Sequence, residues 1–171
     1  ILVRDSLSLS PLSGIRAVAC PKLDLKCTAP VTEATTSADG NLVITVPSMF
    51  AGYLQVQDSR YFPALYFLPP LLPTGGVLQP FPLLSSGLIV DALAFALGTG
   101  IDARRGHMML ISEDCLGQAL PGVAFSSPQR DASTVQFYVS DLLPSTSATQ
   151  TGEAGNGGYL NFPAGTAMIR V

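Results

Sequence analysis

Short runs of alternating apolar and polar residues, separated by prolines and glycines, make up much of the chain. The clearest run is 41–47, where Leu42, Ile44 and Val46 occupy every second position until Pro47 ends the run. A period of two residues is typical of a β-strand with one buried face. The 16 glycines and 14 prolines show no fixed period and mark turns between short strands. The pattern therefore predicts an all-β sandwich fold rather than a helical one.

Weaker alternation predicts further strands along the chain. In the run that follows Gly106, Met109 and Ile111 are expected on one face of a strand, with Leu110 and Ser112 on the other. The remaining strands are expected at 15–19, 136–139, 160–162 and 167–171.

One segment predicts a short helix instead. Residues 85–98 begin with two serines that can cap a helix and finish at Gly98, which can end it. Leu88, Ala92 and Phe95, and likewise Leu93 and Leu97, are expected near one apolar stripe of this helix.

The chain contains an internal repeat. Two segments share the order Leu-x-Gly followed by alternating apolar residues, and each is followed by a threonine-bearing strand, a glycine-rich turn and a strand that ends at proline. A third shared element is Ala-Gly followed by a strand. The first copy comprises 11–18, 35–47 and 51–56, and the second comprises 119–125, 149–163 and 164–171. Three elements in the same order predict two tandem modules.

The second copy resembles a known family. Residues 106–125, followed by the threonine, glycine-turn and strand series, are similar to the carboxypeptidase regulatory-like domain. The resemblance implies a transthyretin-like β-sandwich, with a strand before Asp114, a tight turn through Asp114 and Gly117, and a second strand from Val123. It covers 106–171 more fully than the first copy. Modules of this family accompany peptidases, adhesins, outer-membrane receptors and surface lipoproteins without performing their chemistry, so it implies no catalytic residues.

These observations define the expected domain organisation. We expect two tandem immunoglobulin-like or transthyretin-like β-sandwiches, at 1–68 and 99–171. A proline-rich connector and one short helix, at 69–98, are expected to join them.

The connector is the least ordinary part of the sequence. Its prolines exclude a central strand, and its leucines argue against a solvated spacer. It either packs on the sandwiches or offers an apolar surface to another subunit. The candidate contact residues for the second interpretation are Leu71, Leu72, Val77, Phe81, Leu83 and Leu84.

The three cysteines bear on the cellular compartment. Cys20 and Cys27 flank a short loop, for which we favour a disulfide over two reduced thiols, and a disulfide predicts an extracytoplasmic protein. Zinc fits poorly, because the spacing is not Cys-x₂-Cys. Cys115 is left over and is free, paired across chains, or paired with a cysteine elsewhere in a longer chain.

Little in the sequence points to catalysis or to a cofactor. His107, the single histidine, lies beside 102–106, but no Gly-x-Ser-x-Gly sequence supplies a nucleophile. The arginines there are expected to pair with Asp102, Glu113 or Asp114. Residues 39–41 predict a hairpin turn rather than a calcium loop. We therefore expect no enzyme activity, no metal and no cofactor.

Composition narrows the range of partners. Only 12% of the 171 residues are charged, 47% are hydrophobic and the net charge is −3, so no basic surface is available for nucleic acid. The apolar stretch 87–98 is shorter than the roughly 20 residues of a membrane-spanning helix. The first residues do not resemble a signal peptide, and since they begin within an apparent strand, we expect a processed chain or a fragment.

Three classes of function remain at this point. The first, which we favour, is a structural or assembly module whose partners are protein subunits, including copies of itself. The second is a ligand-binding module for carbohydrate or protein, with tyrosines as the stacking platform because tryptophan is absent. The third is an enzyme. The candidate tyrosines are Tyr53, Tyr61, Tyr66, Tyr138 and Tyr159.

Overall fold

The computed structural model describes residues 1–67, 83–141 and 143–171. The chain divides into two compact units, 1–89 and 90–171. Each contains a four-stranded antiparallel sheet, and one short helix is present in the described residues, so the predicted all-β, sandwich-like fold is confirmed. In chain order the elements are β1 Arg4–Asp5, β2 Arg16–Pro21, β3 Thr32–Thr35, β4 Gly52–Gln57, β5 Ala64–Phe67, β6 Leu83–Leu84, α1 Gly87–Ala96, β7 Gly106–Ile111, β8 Val135–Ser140, β9 Leu143–Ser145 and β10 Asn156–Phe162.

The sheet of the first unit has the strand order β3-β2-β4-β5. Alternate residues of a strand point to the same face of a sheet. On the inner face of this sheet these residues are apolar and buried: Ala17, Ala19, Leu54 and Val56. A second layer covers this face and is built from the amino-terminal residues, from 41–47 and from β6, which pairs in parallel with β1. The layer contributes the buried side chains Val3, Leu42 and Leu84 to the core.

The run 41–47 is extended but does not form a ladder. The predicted alternation is present, since Leu42 is 2% exposed and Val43 is 83% exposed. Only the start of the run pairs with a neighbour: Leu42 and Ile1 exchange two backbone hydrogen bonds, and Asn41 bridges to Leu2. The strand prediction for 42–46 is therefore wrong in its hydrogen bonding, although it is right about which side chains face the core.

The sheet of the second unit has the strand order β7-β10-β8-β9. Helix α1 packs on it, and Ala94 lies in a core cluster with Phe137 and Leu160. The helix ends as predicted: Gly98 has a φ of 69°, and the Thr99 N–H donates to the Ala94 carbonyl oxygen at 2.9 Å. The described part of the expected connector, 83–98, is thus divided between the two units.

Three predicted details are corrected by the structure. In β7, Met109 and Ile111 are exposed, and Ser112, which follows the strand, is buried. The core therefore lies on the face of Leu110 and Ser112, although Met109 and Ile111 are the more apolar pair. At α1, Leu93 and Leu97 of the predicted stripe pack beside Ala94, whereas Leu88, Ala92 and Phe95 are exposed. The final run, 167–171, forms no strand and keeps one bridge, between Ser126 and Arg170.

Candidate functional site

Each unit is organised around a buried threonine that holds a Leu-x-Gly turn. In the first unit, the Thr36 hydroxyl donates to the Leu12 carbonyl oxygen at 2.6 Å and accepts the Ile15 N–H at 2.9 Å. Its backbone N–H donates to the Ile15 carbonyl, and its carbonyl accepts the Gly14 N–H. Four hydrogen bonds from one residue therefore fix the entrance to β2.

The second unit repeats this arrangement bond for bond. The Thr151 hydroxyl donates to the Leu120 carbonyl at 3.0 Å and accepts the Val123 N–H at 3.0 Å. The Thr151 N–H donates to the Val123 carbonyl, and the Gly122 N–H donates to the Thr151 carbonyl. We call the two arrangements the threonine clamps. The repeat in sequence is therefore also a repeat in structure.

A glycine in each unit places the next segment beside its clamp. Gly40 has a φ of 74° and accepts the Val3 N–H, while Gly155 has a φ of 65° and accepts the Ser112 N–H. A Cβ atom at Gly155 would lie 2.5 Å from the Ser112 carbonyl oxygen, and one at Gly40 would lie 2.9 Å from the Leu12 nitrogen. The glycines are required by both the positive φ and the close approach.

Two edge strands present apolar side chains to solvent. In β5, at one edge of the first sheet, Leu65 is 53% exposed and Phe67 is 71% exposed. In β7, at one edge of the second sheet, Met109 is 55% exposed and Ile111 is 64% exposed. Neither strand contains a lysine, an arginine, an acidic residue or a proline, which are the usual means of discouraging edge-to-edge pairing. We call these four residues the apolar edges.

Sequence reasoning did not select the apolar edges as contact residues. Leu71, Leu72, Val77 and Phe81 lie outside the described residues. Of the other two candidates, Leu83 pairs with Arg4 through its backbone, and Leu84 is 1% exposed in the core of the first unit. Leu84 is therefore not available to a partner, because its side chain is already packed inside its own unit.

Cys20 and Cys27 lie at disulfide distance, with their Cα atoms 5.3 Å apart, as the sequence predicted. Cys20 is buried beside Tyr53, whose hydroxyl donates to the Asp24 carbonyl at 2.6 Å. The Asp24 carboxylate accepts the Ala29 N–H, and this hydrogen bond is the main reason that its pKa is lowered. Asp24, in the loop between the cysteines, is thus held through both its backbone carbonyl and its side-chain carboxylate. Cys115 is free and exposed.

The charged groups around His107 form ion pairs at the surface. Asp102 pairs with Arg104 as predicted, whereas Arg105 pairs with Asp131 at 2.7 Å and not with Glu113 or Asp114. The His107 Nδ1 accepts the Asn161 N–H at 3.3 Å. Burial lowers the pKa of His107, and Asp102 opposes this shift. These contacts connect β7 to β10.

The tyrosines do not form a common exposed platform. Tyr53, Tyr138 and Tyr159 are buried, and burial raises the pKa of Tyr66 to about 12. A depression lined by residues of β2 and β4, including Arg16 and Gln55, has a volume of about 120 Å³. Pockets that enclose small ligands are typically about 300 Å³ or larger. The carbohydrate-stacking interpretation therefore loses its proposed platform.

In the part of the chain that the structure describes, no group of three or more histidine, cysteine, aspartate or glutamate side chains is placed to hold a metal ion. No helix there has the length and apolar character needed to cross a bilayer. Comparisons of the chain with protein-family models, with curated proteins and with solved structures give no match.

Proposed function

We propose that the protein is a non-catalytic structural module of an extracytoplasmic protein or multi-subunit surface structure, such as a fibre, appendage, shell or lipoprotein. In this proposal it assembles with other protein subunits, including copies of itself. The observation that carries the proposal is the pair of apolar edges on β5 and β7.

The physical argument starts from the unpaired backbone of an edge strand. Such a strand exposes N–H and C=O groups that another chain can pair with, and natural monomers usually protect it with charges, prolines or bulges. Leu65 and Phe67 on β5, like Met109 and Ile111 on β7, instead add apolar area that burial would stabilise. Strand pairing supported by alternate apolar side chains is a common mode of protein recognition.

Two further features support the proposal. The net charge of −3 and the 12% of charged residues provide little electrostatic repulsion between copies. The Cys20–Cys27 pair at disulfide distance favours an oxidising compartment, where surface assemblies are found. Similarity to the carboxypeptidase regulatory-like modules, which perform no chemistry themselves, points in the same direction.

Light scattering after gel filtration, across a range of concentrations, tests this function. The wild-type chain should form species larger than its 17.9 kDa monomer. Leu65→Lys and Met109→Lys place a charge on each apolar edge and should shift the population towards monomer, with the fold preserved because both side chains are exposed.

Leu23→Lys is the matched control for these variants. Leu23 is an exposed leucine that lies between the cysteines and belongs to neither β5 nor β7, so its replacement should leave assembly unchanged. A wild-type chain that remains monomeric at every concentration would contradict self-assembly. Equal dissociation by Leu23→Lys would contradict the assignment to the edges.

A further inference from the structure

The two units place the same segment in different surroundings. In the second unit, β10 is a central strand and pairs with β7 on one side and β8 on the other. In the first unit, the corresponding segment is 41–45. The correspondence is fixed by matching contacts. Asn41 bridges to Leu2 as Asn156 pairs with Ile111, and the Gly40 carbonyl accepts the Val3 N–H as the Gly155 carbonyl accepts the Ser112 N–H.

The described residues of the first unit contain no counterpart of β8. Between the Leu-x-Gly turn and the clamp threonine, the second unit contains the antiparallel pair β8 and β9. The first unit has a shorter insertion there, which forms the cysteine loop and β3, and β3 pairs with β2 instead. Among the described residues, no strand therefore lies beside 42–45 on the side that β8 occupies in the second unit.

The backbone groups that face this side can be identified from the pairing of Leu42. Leu42 exchanges both of its backbone hydrogen bonds with Ile1, and successive residues of a strand direct these groups to opposite sides. The N–H and C=O groups of Val43 and Thr45 therefore point towards the position that β8 would fill. Neither residue has a backbone hydrogen bond within the described chain, and both side chains are exposed.

We propose that residues 42–45 are an acceptor site for an extended strand of a partner polypeptide. The strand pairs antiparallel to 42–45 in the position that β8 takes on β10, and it carries uncharged, largely apolar side chains as β8 does. This inference rests on the proposed assembly function and specifies one place where a partner attaches. The chemistry of the partner follows from β8, whose Val135 and Phe137 face the equivalent positions Leu160 and Gly158 of β10.

A synthetic peptide of residues 134–140 is the direct probe, added to the full chain under dilute conditions where light scattering shows a monomer. It should bind saturably and should slow hydrogen exchange at the Val43 and Thr45 amides. Its own β8 position in the second unit is already filled, and protection of Val43 and Thr45 distinguishes binding at 42–45 from pairing at the edges of β5 and β7.

Two methylated forms of the peptide separate strand pairing from non-specific apolar contact. N-methylation at Val135 and Phe137 blocks the amides that face the acceptor and should weaken binding by about tenfold or more, whereas methylation at Gln136 and Tyr138 should change it by less than about twofold. Equal effects of the two forms would overturn the proposal.

A matched pair of protein variants tests the acceptor itself. Thr45→Pro removes an N–H group from an exposed position and should abolish peptide binding, while Thr45→Ala keeps that group and should bind normally. Circular dichroism checks that both variants fold. Absence of binding to the wild-type chain overturns the acceptor site, even if light scattering still shows assembly through the apolar edges. Binding by a chain that never self-associates contradicts the proposed self-assembly alone.

Discussion

The first and second units share their turns but complete different sheets. The four bonds of the Thr36 clamp recur at Thr151, and the glycine contacts beside them recur as well. In the first unit, the four-stranded sheet is built on β2, the strand that leaves the clamp. In the second unit the sheet is built on β10, the strand that begins directly after Gly155. The insertions decide this difference, because one unit carries a cysteine loop and the other carries β8 and β9.

The comparison indicates that the turns define the module and that the sheets adapt to what is inserted between them. A buried clamp satisfies backbone groups that would otherwise lose their hydrogen bonds to water. A strand at the edge of a sheet can be present in one unit and absent from the other at a smaller loss of stability, because its unpaired backbone groups still form hydrogen bonds with water. This explains how one unit can leave Val43 and Thr45 without a strand partner among the described residues while its core remains closed by Leu42.

The largest expected effect is at the two glycines beside the clamps. Gly40→Ala and Gly155→Ala each combine a positive φ with a close contact, and should destabilise their own unit by about 3–4 kcal/mol. Gly14→Ala is the control, since Gly14 also has a positive φ but no atom within 4 Å of the added Cβ. Urea unfolding followed through amide signals of each unit measures the effect. A cost at Gly14 equal to that at Gly40 would refute the close-contact argument.

The two clamps should differ in strength. Thr36→Val keeps the side-chain shape but leaves the buried Ile15 N–H and the Leu12 carbonyl without their partner, at a cost of about 3 kcal/mol. Thr151→Val should cost less, about 1–2 kcal/mol, because its hydrogen bonds are only partly buried and the Leu120 carbonyl still accepts the Ser112 hydroxyl at 2.6 Å. The exposed neighbour Thr35 provides the control through Thr35→Val. The same unit-resolved unfolding experiment applies. If one clamp could be removed without loss, the two units would not share a common organising contact.

Reduction of the disulfide should lower the stability of the first unit alone, by slightly less than the loss of the Thr36 clamp. Opening the Cys20–Cys27 pair should destabilise the first unit by about 2–3 kcal/mol in the chain-entropy account and leave the second unit unchanged. Intact mass after alkylation without reductant should show one modified cysteine, Cys115. Three modified cysteines would rule out the disulfide. Cys115→Ser is the control and should not alter stability, because the thiol is exposed.

The smallest expected difference between the two units is in how their stability depends on pH. Burial holds the pKa of His107 below its ordinary value of about 6.5, so the unfolded chain binds this proton more readily than the folded chain. The stability of the second unit should therefore fall as pH decreases through and below the ordinary histidine pKa of about 6.5, and His107→Asn should remove this dependence. The chain has one histidine, so the first unit receives no such contribution. Equal pH dependence in both units over this range would contradict the assignment.

Local patterns predicted the fold class, the cysteine pair and the ends of α1, because each depends on neighbouring residues. They predicted only part of the packed face of α1: Leu93 and Leu97 pack as expected, but Phe95 is exposed and Ala94 is buried instead, since 87–98 is apolar nearly all round. The same ambiguity affects β7, where Met108 and Leu110 compete with Met109 and Ile111. Both choices are decided by packing against distant residues.

The candidate contact surface was also only partly accessible to sequence reasoning. Alternation at 41–47 predicted that Leu42 is buried and Val43 is not, but strand pairing depends on a partner that the pattern does not contain. The clamp threonines were present in both copies of the repeat, yet a threonine before a glycine turn is too common to be singled out. Their role emerges only when Thr36 and Thr151 are seen to make the same four bonds.

Hydrogen exchange at equivalent positions of the two units tests the central comparison most directly. In the dilute monomer, the amides of Val43 and Thr45 should exchange at rates close to those of an unstructured peptide, while those of Gly158 and Leu160 should be protected by pairing with β8. Addition of the 134–140 peptide should then protect Val43 and Thr45 selectively. Strong protection of Val43 and Thr45 in the monomer without peptide would contradict the account, because it would mean that the edge is already paired.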